Sequence, residues 1–142
     1  MHPADRRRLA RLQRLEMVRS VAKQAALAAA AEAEGTLAQL IAVAERTGRM
    51  SDDYAARRDL SDGAALAQLA RFREGLDGIT AATRSDAEQA RRVADGRMRE
   101  LGEAERRRQA AEDRARAEER GLSEARRQTP LDGRKPIGTG LE

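Results

Sequence analysis

The chain has 142 residues, of which 37% are charged and 1% aromatic, and its formal net charge is +4. So few aromatic residues exclude a thick globular core, and the abundance of alanine, arginine, glutamate and leucine is typical of long helices. Cysteine is absent, which excludes a disulfide framework, a thiolate metal site and a cysteine nucleophile.

The first predicted helix covers about residues 4 to 47. Pro3 suits the first turn of a helix, and the next proline is Pro130, so no residue that reliably breaks a helix intervenes. The apolar positions recur at intervals of three and four that sum to eleven. They are Leu15, Val18, Ala22, Ala26, Ala29, Ala33, Leu37, Leu40 and Ala44. An 11-residue repeat predicts a nearly straight or slightly right-handed helix pair.

Residues that end or start helices cluster between 48 and 63, where we expect the turn. Thr47-Gly48 is typical of a helix end, whereas Ser51-Asp52-Asp53 and Ser61-Asp62-Gly63 are typical of helix starts. A short helix near Tyr54 to Asp59 is compatible with this spacing. A connection of this length predicts that the two flanking helices pack antiparallel.

The turn position predicts which residues face each other. Leu37 and Leu40 would lie opposite Leu76 and Phe72, so that the larger apolar side chains meet near the turn. Alanines of one helix would then face alanines of the other farther from the turn.

The second predicted helix covers about residues 64 to 128, and its apolar positions also follow intervals of three and four. They are Leu69, Phe72, Leu76, Ile79, Thr83, Ala87, Ala90, Ala94, Met98 and Leu101. A stripe this narrow favours burial against a single partner helix over a disordered chain. The predicted fold is therefore all-α: residues 4–128 form an antiparallel coiled-coil hairpin.

Two segments are expected to lie outside the helix pair. Because the first helix is shorter than the second, residues from about 110 to 127 would extend beyond their partner. Residues 129–142 contain Pro130, Pro136 and several glycines, which predicts a flexible tail.

The sequence favours a soluble protein. The longest stretch without a charge, residues 35–44, has 10 residues, fewer than the roughly 20 needed to cross a bilayer. The arginine-rich start also lacks the apolar block of a secretory signal. We therefore expect a cytoplasmic location.

Catalytic motifs are missing from the pattern. The only histidine is His2, so a histidine base and a histidine-rich metal site are both disfavoured. Acidic pairs are expected by chance at this charge content and indicate a solvated surface. Gly138-Thr139-Gly140 lacks the remaining residues of a phosphate-binding loop. We predict no enzymatic activity, no metal, no cofactor and no small-molecule substrate.

The first 23 residues are the most basic part of the chain, with seven basic and two acidic residues. Nucleic acid would be attracted to such an excess, but no aromatic platform for base stacking and no leucine zipper accompanies it, so no nucleic acid is expected. An anionic membrane is the other alternative, with Leu9, Leu12, Leu15 and Val18 on one side. Packing between the two helices explains those leucines more simply.

Four features carry a family resemblance. An arginine-rich start leads into Leu-Ala-Arg-Leu-Gln-Arg-Leu-Glu at 9–16, and a break separates the two helices. Leu-Ala-Gln-Leu-Ala-Arg-Phe-Arg-Glu-Gly-Leu follows at 66–76, and a long Arg/Glu helix ends in Ala-Glu-Glu-Arg at 117–120. This layout, over roughly residues 5–127, resembles the FliJ proteins of the bacterial flagellar type III export apparatus. Their fold is an antiparallel helical hairpin similar to the central stalk of rotary ATPases. The high alanine content and scarce aromatics depart from many members.

The resemblance implies a non-enzymatic stalk or adaptor. Its implied partners are the hexameric flagellar export ATPase, the cytoplasmic domain of the export-gate membrane protein, and export chaperones. The implied location is cytoplasmic, peripherally associated with the inner membrane at the flagellar base. A related injectisome stalk, a generic coiled-coil tether and a basic nucleic-acid-associated protein are the alternatives.

The resemblance also implies two sets of contact residues. The implied ATPase-binding residues are Arg6, Arg7, Arg8, Arg11, Arg14, Arg114, Arg116 and Arg120. The implied gate-binding residues are Phe72, Leu76, Ile79, Thr83, Gln39, Ala42 and Glu45. From spacing alone, Phe72, Leu76 and Ile79 would instead be buried residues that close the helix pair near the turn.

Overall fold

A computed structural model of the chain describes residues 2–57 and 62–128. Those ranges form two long helices, α1 over Pro3–Ala55 and α2 over Gly63–Gln128, and contain no strand. The all-α, two-helix fold predicted from the sequence is confirmed. The predicted tail, residues 129–142, lies outside the described residues.

The helices contribute to two compact units. Among the described residues, unit 1 combines 2–24 with 103–128, and unit 2 consists of 25–57 and 62–102. In unit 1, Arg8 pairs with Glu118 and Lys23 pairs with Glu105. A residue later in α1 therefore pairs with a residue earlier in α2, which means that the helices are antiparallel.

The helices of unit 2 are also antiparallel. The Thr47 hydroxyl meets that of Thr80, and Tyr54 meets Phe72. Each unit is therefore an antiparallel helix pair.

The start of α1 is capped by His2. The backbone amide of Ala4 donates to Nδ1 of His2 at 3.2 Å, and the amides of Asp5 and Arg6 donate to its carbonyl oxygen at 3.0 and 3.2 Å. These bonds satisfy amides that have no partner inside the helix. The helix begins at Pro3, one residue before the predicted start.

The predicted end of the first helix is wrong, because α1 continues through Gly48 to Ala55. A glycine inside a helix costs about 1 kcal/mol relative to alanine, but contacts with α2 offset that cost. Ser51, which the sequence suggested as a helix start, is 2% exposed and donates a hydrogen bond of 2.6 Å to Asp77. Tertiary packing thus overrides the local pattern.

The start of α2 is capped by Asp62. The amide of Ala65 donates to the Asp62 side chain at 2.7 Å, and the amide of Leu66 donates to the Asp62 carbonyl at 3.2 Å. Helix α2 begins at Gly63, next to the predicted residue 64. The two helices are therefore joined between Ala55 and Gly63, a shorter and later connection than the predicted 48–63; residues 58–61 lie outside the described residues.

The predicted 11-residue repeat is wrong, because burial in α1 recurs every seven residues. Its four buried residues are Ala30, Leu37, Ala44 and Ser51. Half-buried residues occupy the intervening positions, among them Ala26, Ala33, Leu40, Thr47 and Tyr54. A seven-residue repeat is the pattern that predicts a coiled coil. Val18 and Ala22 of the predicted stripe are exposed.

The buried positions of α2 follow the same period. Residues 80, 87, 94 and 115 are buried and differ by multiples of seven, and buried residues 76 and 111 belong to a second series with the same period. Phe72, Ile79 and Met98 of the predicted stripe are about half exposed. Their apolar side chains favour burial, but the seven-residue period places other positions of α2, such as Thr80, at the interface.

The predicted facing of leucine against leucine is also wrong. Leu37 forms a buried cluster with Ala87 and Ala94, and half-buried neighbours complete it: Ala33, Leu40, Ile41 and Ala90. Because α1 ends eight residues later than expected, every residue of α1 meets a partner farther along α2. Large side chains in unit 2 therefore pack into spaces that small ones leave.

The end of α2 does not extend beyond its partner as predicted. Ala111 and Ala115 are buried, and Glu118 pairs with Arg8. The physical reason is the additional length of α1, which moves the turn and covers this part of α2 in unit 1.

Candidate interaction surfaces

The interface of unit 1 contains charged residues at positions where a coiled coil ordinarily carries apolar ones. The half-buried charged residues are Asp5, Glu16, Arg19 and Lys23 of α1, and Glu105, Arg108, Glu112 and Glu118 of α2. Leu9, Leu12 and Leu15 are half-buried between them. Unit 1 is thus held by both apolar contacts and ion pairs.

One ion-pair network links the two helices. Lys23 Nζ lies 2.9 Å from a Glu105 oxygen, and Arg108 bridges Glu105 at 2.8 Å and Glu112 at 2.6 Å. Arg116 also pairs with Glu112. Hydrogen bonds from Arg108, and then from Lys23, lower the pKa of Glu105 from 4.5 to about 2. The same carboxylates raise the pKa of Arg108.

All eight implied ATPase-binding arginines are exposed, and all belong to unit 1. Five lie on α1 and three on α2. Arg8 lies 3.4 Å from Glu118, and Arg116 pairs with Glu112, so two of the eight already have acidic partners. The arrangement gives unit 1 exposed guanidinium groups on both helices.

None of the exposed residues of α1 in unit 1 is acidic. The only acidic residues between Pro3 and Gln24 are Asp5 and Glu16, and both are half-buried. The exposed positions include five arginines and three large apolar residues, Met17, Val18 and Val21, which are 68%, 63% and 69% exposed. The three-and-four spacing does not reveal this surface, because it places the exposed Val18 at the interface.

The implied gate-binding residues separate into exposed and buried ones. Phe72 and Ile79 are 47% and 52% exposed, whereas Leu76 is 7% exposed and belongs to the core. Thr83 is half-buried at the interface. Gln39, Ala42 and Glu45 are exposed on α1. Packing near the turn thus accounts for Leu76 but does not hide Phe72 or Ile79.

Phe72 lies against Tyr54 at the turn end of unit 2. The two ring centroids are 4.8 Å apart with an interplanar angle of 80°, and the guanidinium of Arg57 lies 4.4 Å from the Tyr54 ring centre. A shallow groove of about 330 Å³ is lined by both rings together with Arg57, Ala65, Gln68 and Leu69. The two aromatic residues of the chain therefore share one site.

A polar layer lies between the helices of unit 2 beside this aromatic pair. The Thr80 hydroxyl, 5% exposed, donates to Thr47 Oγ1 at 2.7 Å, and the Thr47 hydroxyl can donate to the Val43 carbonyl at 3.1 Å. Ser51 donates to Asp77, and Arg73 Nε donates to the Ser51 carbonyl at 3.3 Å. The seven-residue spacing from Leu37 through Ala44 to Ser51 was the sequence feature that could have located this layer.

The part of the chain that the structure describes contains no cluster of three or more His, Asp or Glu residues able to hold a metal ion. Helix α1 contains an 18-residue window with mean hydropathy 1.3, 11% of which is buried. Length and composition alone would let that window cross a membrane, and core helices of soluble proteins satisfy the same criterion.

Neither a protein-family model, nor a curated protein, nor a solved structure matches this chain.

Proposed function

We propose that this chain is a FliJ-like stalk or adaptor of the bacterial flagellar export apparatus. It would bind the hexameric export ATPase and the export gate, assist export chaperones, and catalyse no reaction itself. The observation that supports the proposal is the antiparallel pairing of two long helices, which is the fold that the sequence resemblance implies.

The exposed arginines of unit 1 supply the proposed ATPase contact. They come from both helices, so a ring of subunits around this part of the chain would meet positive charge on more than one side. Acidic or carbonyl groups lining such a ring would be attracted to them. Exposed charges interact through solvent, so this attraction should weaken as salt rises.

The turn end of unit 2 supplies the proposed gate contact. Phe72 and Ile79 lie seven residues apart, two turns along the same face of α2. Both leave about half of their side chains uncovered, and exposed aromatic residues often contribute strongly to binding. Leu76 and Thr83 would support this surface from the interface. Gln39, Ala42 and Glu45 precede Thr47, which meets Thr80, so in an antiparallel pair they lie beside residues of α2 beyond Thr80 and not beside Phe72.

The proposed location is the cytoplasmic side of the inner membrane, where gate and ATPase are found together. An injectisome stalk would share these contacts in a related secretion system. A generic coiled-coil tether or a nucleic-acid-associated protein would bind neither the ATPase nor the gate.

The test of this proposal is binding to the flagellar export ATPase of the source organism. Wild-type chain should co-purify with that ATPase, stimulate its hydrolysis and lose both effects progressively with salt. The double variant Arg114→Glu/Arg120→Glu should lower stimulation at least tenfold. The matched control, Arg92→Glu/Arg99→Glu, changes exposed arginines of α2 in unit 2 and should behave as wild type.

A deletion strain provides the second readout. Loss of motility that wild type restores, and the Arg114/Arg120 variant does not, would support the proposal. A fully motile deletion strain, together with an ATPase that ignores the chain at low salt, would exclude it.

A further inference from the structure

The starting point is the separation of charge in unit 1. On α2, exposed arginines alternate with exposed acids such as Glu103, Asp113 and Glu119. On α1 the exposed residues from Pro3 to Gln24 are positive or neutral. In a chain with 24 acidic residues, this leaves one surface on which every charged residue of the exposed class is positive, with Asp5 and Glu16 half-buried beside it.

The exposed residues of α1 are ordered along the helix. Arg7, Arg11, Arg14, Val18 and Val21 are separated by four, three, four and three residues, which places them on one helical face. Met17 lies beside this line. The face therefore begins with three guanidinium groups and continues with three apolar side chains, each at least 63% exposed.

These apolar residues have no role in holding the helices together. The half-buried positions around them are Leu15, Glu16, Arg19, Ser20 and Lys23, which lie on the opposite side of α1. Single exposed apolar residues are ordinary on protein surfaces. Three adjacent ones that continue a row of arginines form a surface with both a charge preference and an apolar contact.

We infer that this face of α1, residues 7–21, binds the surface of an anionic lipid bilayer. Arginines attract the negatively charged headgroups and can extend to them along their apolar stems. Met17, Val18 and Val21 then enter the headgroup boundary, as the apolar face of an interfacial helix does. Arg7, Arg11 and Arg14 belong to both this face and the proposed ATPase contact. Met17, Val18 and Val21 have no part in the ATPase contact, so replacing them tests lipid binding separately.

Charge and side-chain type favour lipid over the other anionic partners. Nucleic acid is bound through phosphate contacts and aromatic stacking, and methionine and valine offer neither. An acidic protein helix would match the arginines, but nothing on this face fixes the position of a single partner. A fluid lipid surface requires no such fit.

The experiment measures co-sedimentation of the full chain with vesicles. One set contains phosphatidylcholine mixed with phosphatidylglycerol and the other phosphatidylcholine alone. The variant Met17→Ser/Val18→Ser/Val21→Ser should bind the anionic vesicles about tenfold more weakly than wild type. The variant Arg7→Gln/Arg11→Gln/Arg14→Gln should lose about fivefold for each arginine removed.

The matched control is Leu66→Ser/Val93→Ser/Met98→Ser, which removes three exposed apolar residues from α2 in unit 2. It should bind as wild type does, and circular dichroism should show all variants equally helical. The inference is overturned by wild-type chain that ignores anionic vesicles, by serine variants of α1 that bind unchanged, or by a control that loses as much. Preference for a DNA duplex over the vesicles, unaffected by the serine variant, would likewise overturn it.

Discussion

Thr80 and Ile79 are neighbours in the chain, but each has the solvent exposure that the polarity of the other would suggest. The polar Thr80 is buried, whereas the apolar Ile79 is half exposed. A hydroxyl can be buried without large cost only when it is hydrogen-bonded, and Thr80 meets this condition through Thr47. The hydroxyl pair therefore explains why a threonine fits where an isoleucine was expected.

Replacing Thr80 with valine keeps the shape of the side chain and removes this hydrogen bond. We expect the free energy of unfolding to fall by about 1 kcal/mol, although valine is the more apolar residue. Thermal melting followed by circular dichroism measures the change. Ile79→Thr serves as the control and should stay within about 0.5 kcal/mol of wild type. A Thr80→Val variant as stable as wild type would show that the hydroxyl pair has no net effect.

Phe72 packs against the other aromatic ring of the chain, that of Tyr54. Removing a fully buried phenylalanine costs about 3 to 5 kcal/mol, but Phe72 is half exposed and its main neighbour is the Tyr54 ring. We expect Phe72→Ala to cost about 1 to 2 kcal/mol. A double-mutant cycle with Tyr54→Ala should give a coupling of about 1 kcal/mol.

The same variant tests the gate contact. Loss of gate binding and motility by a Phe72→Ala protein that stays folded would identify a contact surface. Complete unfolding would instead show that Phe72 stabilises the helix pair and that the contact was assigned to the wrong residue.

At the scale of elements, the start of each helix follows from local residues, and the end of α1 does not. His2 and Asp62 cap the helices through bonds to amides two to four residues ahead, which a sequence pattern can indicate. The continuation of α1 to Ala55 depends on Ser51 reaching Asp77, 26 residues away. Local propensity contains no information on such a contact.

The Glu105 network gives unit 1 a pH dependence. Arg108 and Lys23 lower the pKa of the Glu105 carboxyl from 4.5 to about 2. The carboxylate therefore stabilises the folded state at pH values above its unfolded pKa of 4.5. That contribution is lost as pH falls toward 2. We expect melting temperatures to decrease between pH 4.5 and 2, and Glu105→Gln to show a smaller decrease.

Glu103→Gln is the matched control, since Glu103 is exposed on the same helix and should retain the wild-type profile. Raising the salt concentration should reduce the difference between wild type and Glu105→Gln, because exposed ion pairs are screened. Identical acid profiles for wild type and Glu105→Gln would contradict a stabilising role of the network.

For the whole molecule, composition and periodicity were sufficient to predict two helices and their antiparallel pairing. They were not sufficient to predict which residues meet. Alanine, threonine and isoleucine all fit a stripe of three-and-four spacing, so Ile79 and Met98 were placed inside by hydrophobicity alone. The exposed surface of α1 in unit 1 was hidden by the same error, since Val18 had been assigned to the interface.

The alanine-rich interface of unit 2 has a consequence for how its helices are aligned. Ala26, Ala30 and Ala33 of α1 and Ala87, Ala90 and Ala94 of α2 are identical in size, so their shapes alone do not prevent one helix from sliding past the other by seven residues. Such a shift would, however, separate Thr47 from Thr80 and Ser51 from Asp77. The two hydrogen bonds thus distinguish the observed alignment from its nearest competitors. Substitutions there should change which residues face each other while leaving the helix content intact.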